Sequence, residues 1–174
     1  MTDRLRRAGR GHAVDGSDIV WSIAEGSRGR RWREMRRSAD GGLISSLLLE
    51  TDTDDRFSHI ELSTAAGLLT LHPESDGTLH GNVVTDDGIR HITGLSWPRD
   101  SVVLLVGSPT AAAAAGRTVA VSGAARIHVL TIYIDLTIEE SDTDIEGGGE
   151  RRRVLDPGVP LLREPQSWPL EEGV

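Results

Sequence analysis

Histidines are the side chains of this sequence best suited to acid–base or metal chemistry, and there are six of them. Five lie in segments that alternate apolar and polar residues as strands do: His59, His72, His80, His91 and His128. The sequence has no His-x-His pair, no Glu-x-x-His and no two histidines four residues apart, so no local ligand set for a transition metal is present. We therefore expect no metal site.

His128 differs from the other histidines because of the stretch that follows it. From Arg126 to Glu140 the residues alternate, and the even positions form an apolar face: His128, Leu130, Ile132, Ile134, Leu136 and Ile138. A period of two is typical of a strand with one buried face. An imidazole at the start of such a face needs a hydrogen-bond partner, which makes His128 the first candidate for an interior acid or base.

Nucleophilic and metal-loop chemistry lacks its usual motifs. The chain has no cysteine and no lysine, which excludes disulfides, thiolates and Schiff-base amines, and no serine stands in a Gly-x-Ser-x-Gly elbow. The acidic clusters at 52–55 and 142–144 lack the glycine and the final glutamate of a calcium loop, so they indicate solvated turns. Catalytic residues stay unassigned, and we expect no cofactor.

Charge is distributed unevenly along the chain, whose net charge is −8. Residues 1–37 contain ten arginines and five acids, whereas residues 38–174 contain nine arginines and twenty-two acids. An acidic body repels phosphate, so we expect no nucleic-acid partner. No secretory signal and no apolar run long enough for a membrane span is visible, so the sequence predicts a cytoplasmic, soluble protein.

Short apolar segments separated by Gly and Asp turns predict a mainly β fold, a rolled or barrel-like antiparallel sheet around an apolar cavity. The predicted strands are 19–25, 30–37, 43–50, 56–64, 67–72, 77–84, 88–95, 101–107, 117–122, 126–140 and 150–155. One short helix is expected at 109–116, where Ser108 is a suitable N-cap, Pro109 suits the first turn, and Gly116 suits the C-terminus.

The two ends of the chain are expected to differ from this single β domain, which spans 19–156. Residues 1–18 are rich in Arg, Gly and Asp without an apolar period, which predicts a flexible basic arm. Residues 157–174 hold four of the seven prolines, which favours an extended tail outside the sheet, anchored by Trp168. Together these ends are expected to cover either a cavity mouth or the seam of a homodimer.

Two segments resemble a bacterial family named for glycolipid binding. The first segment begins at Ser108-Pro109-Thr110 and leads to Arg117, and it is similar to the family's run Ser-Pro-x-Thr-Asn-Thr-Leu-Pro-Ile-Arg-Arg. The second segment, residues 135–139, is similar to the end of the family's long strand. The likeness covers about residues 19–156. It implies a spiral β-roll similar to bacterial lipoprotein carriers, with an apolar cavity, and the family name records that fold similarity rather than a demonstrated ligand.

The resemblance implies that this chain is a divergent member of that family. An alanine run replaces the Asn, Leu, Pro and Ile of the family segment, and Val102 and Leu104 stand where the family has paired aspartates. A framework kept without its polar residues is consistent with recruitment to a new ligand or a new reaction.

Two functions follow from these observations as expectations. The first is binding of an amphipathic or apolar small molecule, lipid-like or polyketide-like, inside the β-roll. The second is a cyclase or isomerase that acts on a flexible apolar biosynthetic intermediate by confinement, which needs no sequence motif. The ligand-binding residues predicted for either function are Trp97, Thr110, Arg117, His128 and Tyr133.

Overall fold

The computed structural model describes residues 6–13, 15–146, 153–154 and 170–172, and the following bounds refer to them. The strands before the helix are β1 Arg6–His12, β2 Asp18–Gly26, β3 Gly29–Arg37, β4 Leu43–Thr51, β5 Phe57–Thr64, β6 Gly67–Pro73, β7 Thr78–Thr85, β8 Gly88–Ser96 and β9 Val102–Leu105. The helix α1 is Pro109–Ser122, and it is followed by β10 Arg126–Ile132, β11 Ile138–Glu146, β12 Arg153–Val154 and β13 Leu170–Glu172. The prediction of a mainly β fold with an antiparallel sheet and one short helix is confirmed.

The strands form two sheets. The larger sheet has nine strands in the order β13-β1-β2-β3-β4-β5-β6-β7-β8, with every neighbouring pair antiparallel. Its hairpins are tight: Gly67 has φ 137°, and a Cβ there would lie 2.1 Å from the Val84 carbonyl oxygen, so only glycine fits. In the described residues this sheet has free edges at β8 and β13 and does not close into a barrel, and a rolled shape is compatible with it.

The smaller sheet has the order β12-β11-β10-β9 and contains a parallel pair, β9 with β10. The helix α1 connects these two strands and so forms a β-α-β unit. All four residues of β9 are buried, as expected for a strand that is covered on both faces.

The main core lies between the inner face of the larger sheet and the second layer, which consists of the smaller sheet and α1. Leu49, Ile60 and Leu71 of the larger sheet belong to one apolar cluster with Leu130 and Ile132 of β10. A second cluster on the other side of the smaller sheet contains Val102, Leu104, Ala115, Val119, Ile127, Val129 and Ile145. The apolar cavity expected from the sequence stays a prediction.

The predicted strand at 117–122 is wrong, because α1 continues through Gly116 to Ser122. The left-handed C-cap residue is Gly123, with φ 69°. A glycine inside a helix costs only about 1 kcal/mol, and burial of Thr118 and Val119 favours the continued helix.

The single strand predicted at 126–140 is also wrong. A turn at residues 133–137 separates β10 from β11, which pair with each other as an antiparallel hairpin. Asp135 stabilises this turn by accepting hydrogen bonds from the amide and the hydroxyl of Thr137, at 3.0 and 2.6 Å. As a result Ile134 is 44% exposed, although the alternation places it on the apolar face.

Parts of both predicted chain ends join the larger sheet. Residues 6–12, expected in a flexible arm, form β1 and pair with β2 along their whole length. This strand has no apolar period because glycines occupy its buried positions, Gly9 and Gly11. Residues 170–172, expected outside the sheet, pair with β1 as β13. Trp168, expected to anchor the tail, lies outside the described residues.

No helix in the described part of the chain is long and apolar enough to cross a membrane.

Replacing Ile132 by alanine should lower the free energy of unfolding by about 2–5 kcal/mol, because its side chain is fully buried in the main core. Urea denaturation measures this loss. The matched control is Ile134→Ala in the exposed turn, which should change stability by less than about 0.5 kcal/mol. Equal losses in the two variants would contradict the hairpin and support a continuous strand.

Candidate functional site

A glutamate stands among the buried residues of the larger sheet. Successive residues of the set Trp32, Glu34 and Arg36 are two apart on β3, so their side chains share one face of the strand. This face is turned toward the second layer, formed by the smaller sheet and α1. Glu34 is 3% exposed, and its cross-strand neighbours are Trp21 on β2 and Leu47 on β4. A carboxyl group in such surroundings needs polar partners from the opposite layer.

The N-terminus of α1 supplies those partners. The Ser108 hydroxyl donates to Glu34 Oε2 at 2.9 Å, and the Thr110 amide donates to the same oxygen at 3.0 Å. Ser108 also caps the helix, because its Oγ accepts from the Ala111 amide at 3.1 Å. Glu34 therefore binds the end of the helix where free amides and the helix dipole favour negative charge.

Two opposing effects act on the pKa of Glu34. Burial raises the pKa above its ordinary value of 4.5, since the charged form loses its hydration. Hydrogen bonds from Thr110 and Ser108, together with the positive charge of Arg36, lower the pKa but do not cancel the effect of burial. A carboxyl group with a raised pKa holds its proton to a higher pH than an ordinary glutamate, and in the protonated form it can donate a hydrogen bond.

Arg36 positions the segment that leads into the helix. Its Nη1 donates to the Gly107 carbonyl at 3.0 Å, its Nε donates to Ser17 Oγ at 2.7 Å, and its Nη2 contacts Asp15 Oδ2 at 2.5 Å. These contacts connect β3, the loop before β2 and the turn before α1. Only 15% of the Arg36 side chain is exposed, so its hydrogen bonds are partly shielded from water.

Trp21, the register partner of Glu34 on β2, carries a buried hydrogen-bond donor. It is 6% exposed, and its indole Nε1 has no hydrogen-bond partner in the described part of the structure. The ring lies over Gly9 of β1, where a Cβ would come within 2.8 Å of Nε1. By contrast, the indole of Trp32 donates to Thr51 Oγ1 at 3.3 Å. The Trp21 N–H is thus a buried donor that finds no acceptor among the described residues.

A second buried carboxylate holds the other half of α1. Asp55, in the loop between β4 and β5, is bound by Arg30 and by Arg117, whose Nε and Nη2 lie 3.2 and 3.0 Å from its two oxygens. The hydroxyl of Thr118 donates to the backbone carbonyl of Asp55. The Asp55 side chain is 9% exposed, whereas that of Arg117 is 47% exposed. These contacts fix the C-terminal half of the helix against the larger sheet.

The residues predicted as ligand-binding are distributed over four places. Trp97 and His128 lie together, with ring centroids 6.5 Å apart, and the Phe57 ring contacts Trp97 with its centroid at 5.2 Å. His128 Nδ1 is 3.2 Å from Asp142 Oδ1, and its Nε2 is 3.5 Å from a Glu140 oxygen. The structure therefore brings two of the five predicted residues into contact.

The other three predicted residues have separate partners. Thr110 contacts Glu34, Arg117 contacts Asp55, and Tyr133 donates to Glu139 at 2.7 Å in the turn before β11. Thr110 and Arg117 are seven residues apart on α1, about 10 Å along its axis. No group of three or more potential metal ligands is arranged around a common point in the described residues.

Sequence reasoning missed Glu34, Trp21, Arg36 and Asp55. The alternation in 30–37 contained a signal, since a buried Trp32 implies that Glu34 and Arg36 face the same way. No comparable signal pointed to Asp55, which reaches α1 across 62 residues of sequence.

Glu34→Gln should change how stability depends on pH. Because the pKa of Glu34 is raised in the folded state, the stability gained from its protonation is present at low pH and is lost as the pH rises from about 4.5 through the raised pKa. Over that window the wild-type free energy of unfolding should fall relative to the glutamine variant. Urea denaturation between pH 4 and 8 measures the difference, and a difference independent of pH would contradict the prediction.

Arg30→Met and Arg117→Met test the contacts of Asp55. The Arg30 side chain is only 16% exposed, so its removal should cost about 2–3 kcal/mol by leaving a buried carboxylate short of a charged donor. Removal of the more exposed Arg117 should cost less than about 1 kcal/mol. Thermal and urea denaturation of the two variants compare the losses, and the reverse order would be incompatible with the described exposure.

Comparisons with known proteins add a distant structural likeness. No family model matches the sequence, and no curated protein matches it. The fold is similar to a crystal structure of a DUF1089 family protein from Pseudomonas aeruginosa, with 12% sequence identity, a TM-score of 0.44, and coverage of 97% of this chain and 92% of that chain. At these values the likeness extends only to a β-rich fold, and the resemblance to the glycolipid-binding family is not confirmed.

Proposed function

We propose that this chain binds an amphipathic small molecule between its two layers, with the polar end of the ligand at Glu34 and Trp21. The observation that carries the proposal is the Trp21 indole N–H, which is buried on the strand next to a buried carboxyl group and has no acceptor in the part of the chain that the structure describes. A buried donor left without a partner costs about 1–3 kcal/mol. A ligand oxygen at this position would remove that cost.

The chemistry of the two groups favours a neutral polar end. Trp21 can only donate a hydrogen bond, and an ionised Glu34 can only accept one. A ligand hydroxyl supplies both kinds of group, an oxygen that can accept from the indole and a proton that can be donated to a carboxylate. A ligand carboxylate would satisfy Trp21 but would be repelled by the ionised Glu34.

The surroundings of the site favour an apolar remainder of the ligand. Ile19 and Leu47 on the larger sheet are 2% exposed, and Ala111 and Ala114 on α1 are 0% and 2% exposed. These side chains offer aliphatic surface and no further polar group, which suits a hydrocarbon portion. A lipid-like or polyketide-like molecule with a terminal hydroxyl has this composition.

Catalysis of a cyclisation or isomerisation of a flexible apolar intermediate is the second candidate function. The raised pKa of Glu34 favours it, because a raised pKa keeps the carboxyl group protonated to a higher pH than an ordinary glutamate, and the protonated group can donate a proton to a bound substrate. In that case Glu34→Gln should retain binding of a substrate-like molecule and lose its conversion, whereas a binding protein would return every ligand unchanged.

Isothermal titration calorimetry with 1-decanol, decanoate and decylamine tests the leading proposal. These probes share one chain and differ in the polar end. We expect saturable binding of decanol, and binding of decanoate that weakens as the pH rises and Glu34 ionises. Trp21→Phe should weaken decanol binding about tenfold, the equivalent of one hydrogen bond. Glu34→Gln should keep decanol within a few-fold and strengthen decanoate, because the repelling charge is gone.

The matched control is Trp97→Phe, which changes the same residue type in the main core beside His128 and should leave decanol binding unchanged. No saturable heat with any probe would mean that Glu34 only caps the helix. If Trp97→Phe lost decanol binding and Trp21→Phe kept it, the ligand would bind near His128 and not at Trp21.

A further inference from the structure

The outer face of the first three strands is basic, although the chain as a whole is acidic. On β2, Ile19 and Trp21 are buried, so the alternate residues Asp18, Val20, Ser22 and Ala24 face outward. Their register partners on β1 and β3 share that face. It carries five exposed arginines: Arg6, Arg10, Arg31, Arg33 and Arg37. We call these arginines, with the β2 residues between them, the basic face.

The centre of the basic face is apolar. Val20 is 55% exposed and stands between Arg10 and Met35 in register, and Met35 is itself 40% exposed. Ala24 stands between Arg6 and Arg31 in the same way. The basic face is about 10 Å wide, because its three strands are about 4.8 Å apart. It is about 20 Å long, because it extends over about seven residues of β2.

Most of this positive charge is not neutralised within the three strands. The only acid among their outward residues is Asp18, which pairs with His12 at 2.5 Å. Arg31 pairs with Glu50 of β4 at 2.6 Å, and Glu171 of β13 stands opposite Arg10 in register. Arg6 and Arg33 make no ion pair with any described residue, and Arg37 donates only to the Gly41 carbonyl.

We propose that the basic face binds the surface of an anionic lipid bilayer. Arginines attract lipid phosphates, and exposed Val20 and Met35 at their centre gain by entering the boundary between head groups and acyl chains. Duplex DNA or RNA offers phosphate but nothing apolar for this centre, and no aromatic side chain of β1–β3 lies on the outer face to stack on a base. The combination of charge and apolar surface therefore fits a membrane better than a nucleic acid.

The net charge of −8 does not prevent this binding. At physiological ionic strength the screening length is about 8 Å, so charges on the far side of the molecule contribute little at the membrane. The contact should be sensitive to salt, and it does not depend on the ligand proposed for the core.

Co-sedimentation of the full chain with vesicles tests the proposal. At 50 mM NaCl we expect binding to vesicles of phosphatidylcholine and phosphatidylglycerol in a 7:3 ratio, and no binding to pure phosphatidylcholine. Removing two arginines in Arg33→Ser/Arg37→Ser should lower the partition coefficient roughly twenty-five-fold, because each basic residue near the surface contributes about fivefold. Val20→Ser/Met35→Ser should also lower the partition coefficient. Its effect should be largest at higher salt, where the attraction between arginines and phosphates is screened and the apolar contact contributes a larger share of the binding.

The matched control is Arg90→Ser/Arg99→Ser, which removes two exposed arginines elsewhere and changes the net charge equally. It should bind like wild type, and a loss equal to that of the β3 variant would assign the effect to net charge alone. Absence of sedimentation with anionic vesicles at low salt would overturn the proposal. The proposal would also be overturned if the protein bound a 20-base-pair duplex more tightly than the vesicles and the Arg33→Ser/Arg37→Ser variant bound that duplex more weakly. Circular dichroism of each variant verifies its fold.

Discussion

The arrangement of the two layers depends on a buried carboxyl group, that of Glu34, at the N-terminus of α1. A β-α-β unit could place its helix at many positions over a large sheet if only apolar contacts held it, because aliphatic surfaces are not directional. Hydrogen bonds from Ser108 and Thr110 to one oxygen of Glu34 fix the start of the helix over β3. Asp55 fixes the second half of the helix by accepting hydrogen bonds from Arg117 and Thr118. Two carboxylates thus fix both position and direction.

The alanine run between these polar ends has a packing role. Ala111 and Ala114 belong to the main core, whereas Ala115 belongs to the cluster on the other side of the smaller sheet. A helix with buried residues on both sides needs small side chains to lie close to its neighbours. The alanines provide this close approach, but they carry no hydrogen-bonding groups. Specific orientation therefore has to come from the residues at the ends of the helix.

The alternation of apolar residues was enough to predict the β class and most strands, since a period of two requires only one buried face. It could not predict where 126–140 bends, because Asp135 and Thr137 form a turn without interrupting the alternation. It could not assign β1 either, since glycines replace the apolar residues that would have marked its inner face. The candidate site was missed for a related reason: Glu34 and Ser108 are 74 residues apart, and their contact depends on how the layers stack.

The candidate site and the basic face are two sides of the same strands. Trp21 of β2 and Glu34 of β3 are register partners on the inner face. The adjacent pair, Val20 just before Trp21 and Met35 just after Glu34, is on the outer face. A shift of one residue in the pairing of β2 with β3 would separate both pairs, so a single register supports both surfaces. Because Arg36 holds β3 to the loop before β2 and to the turn before α1, it stabilises this register from the inside. The inner polar residues therefore position the outer arginines as well as the helix.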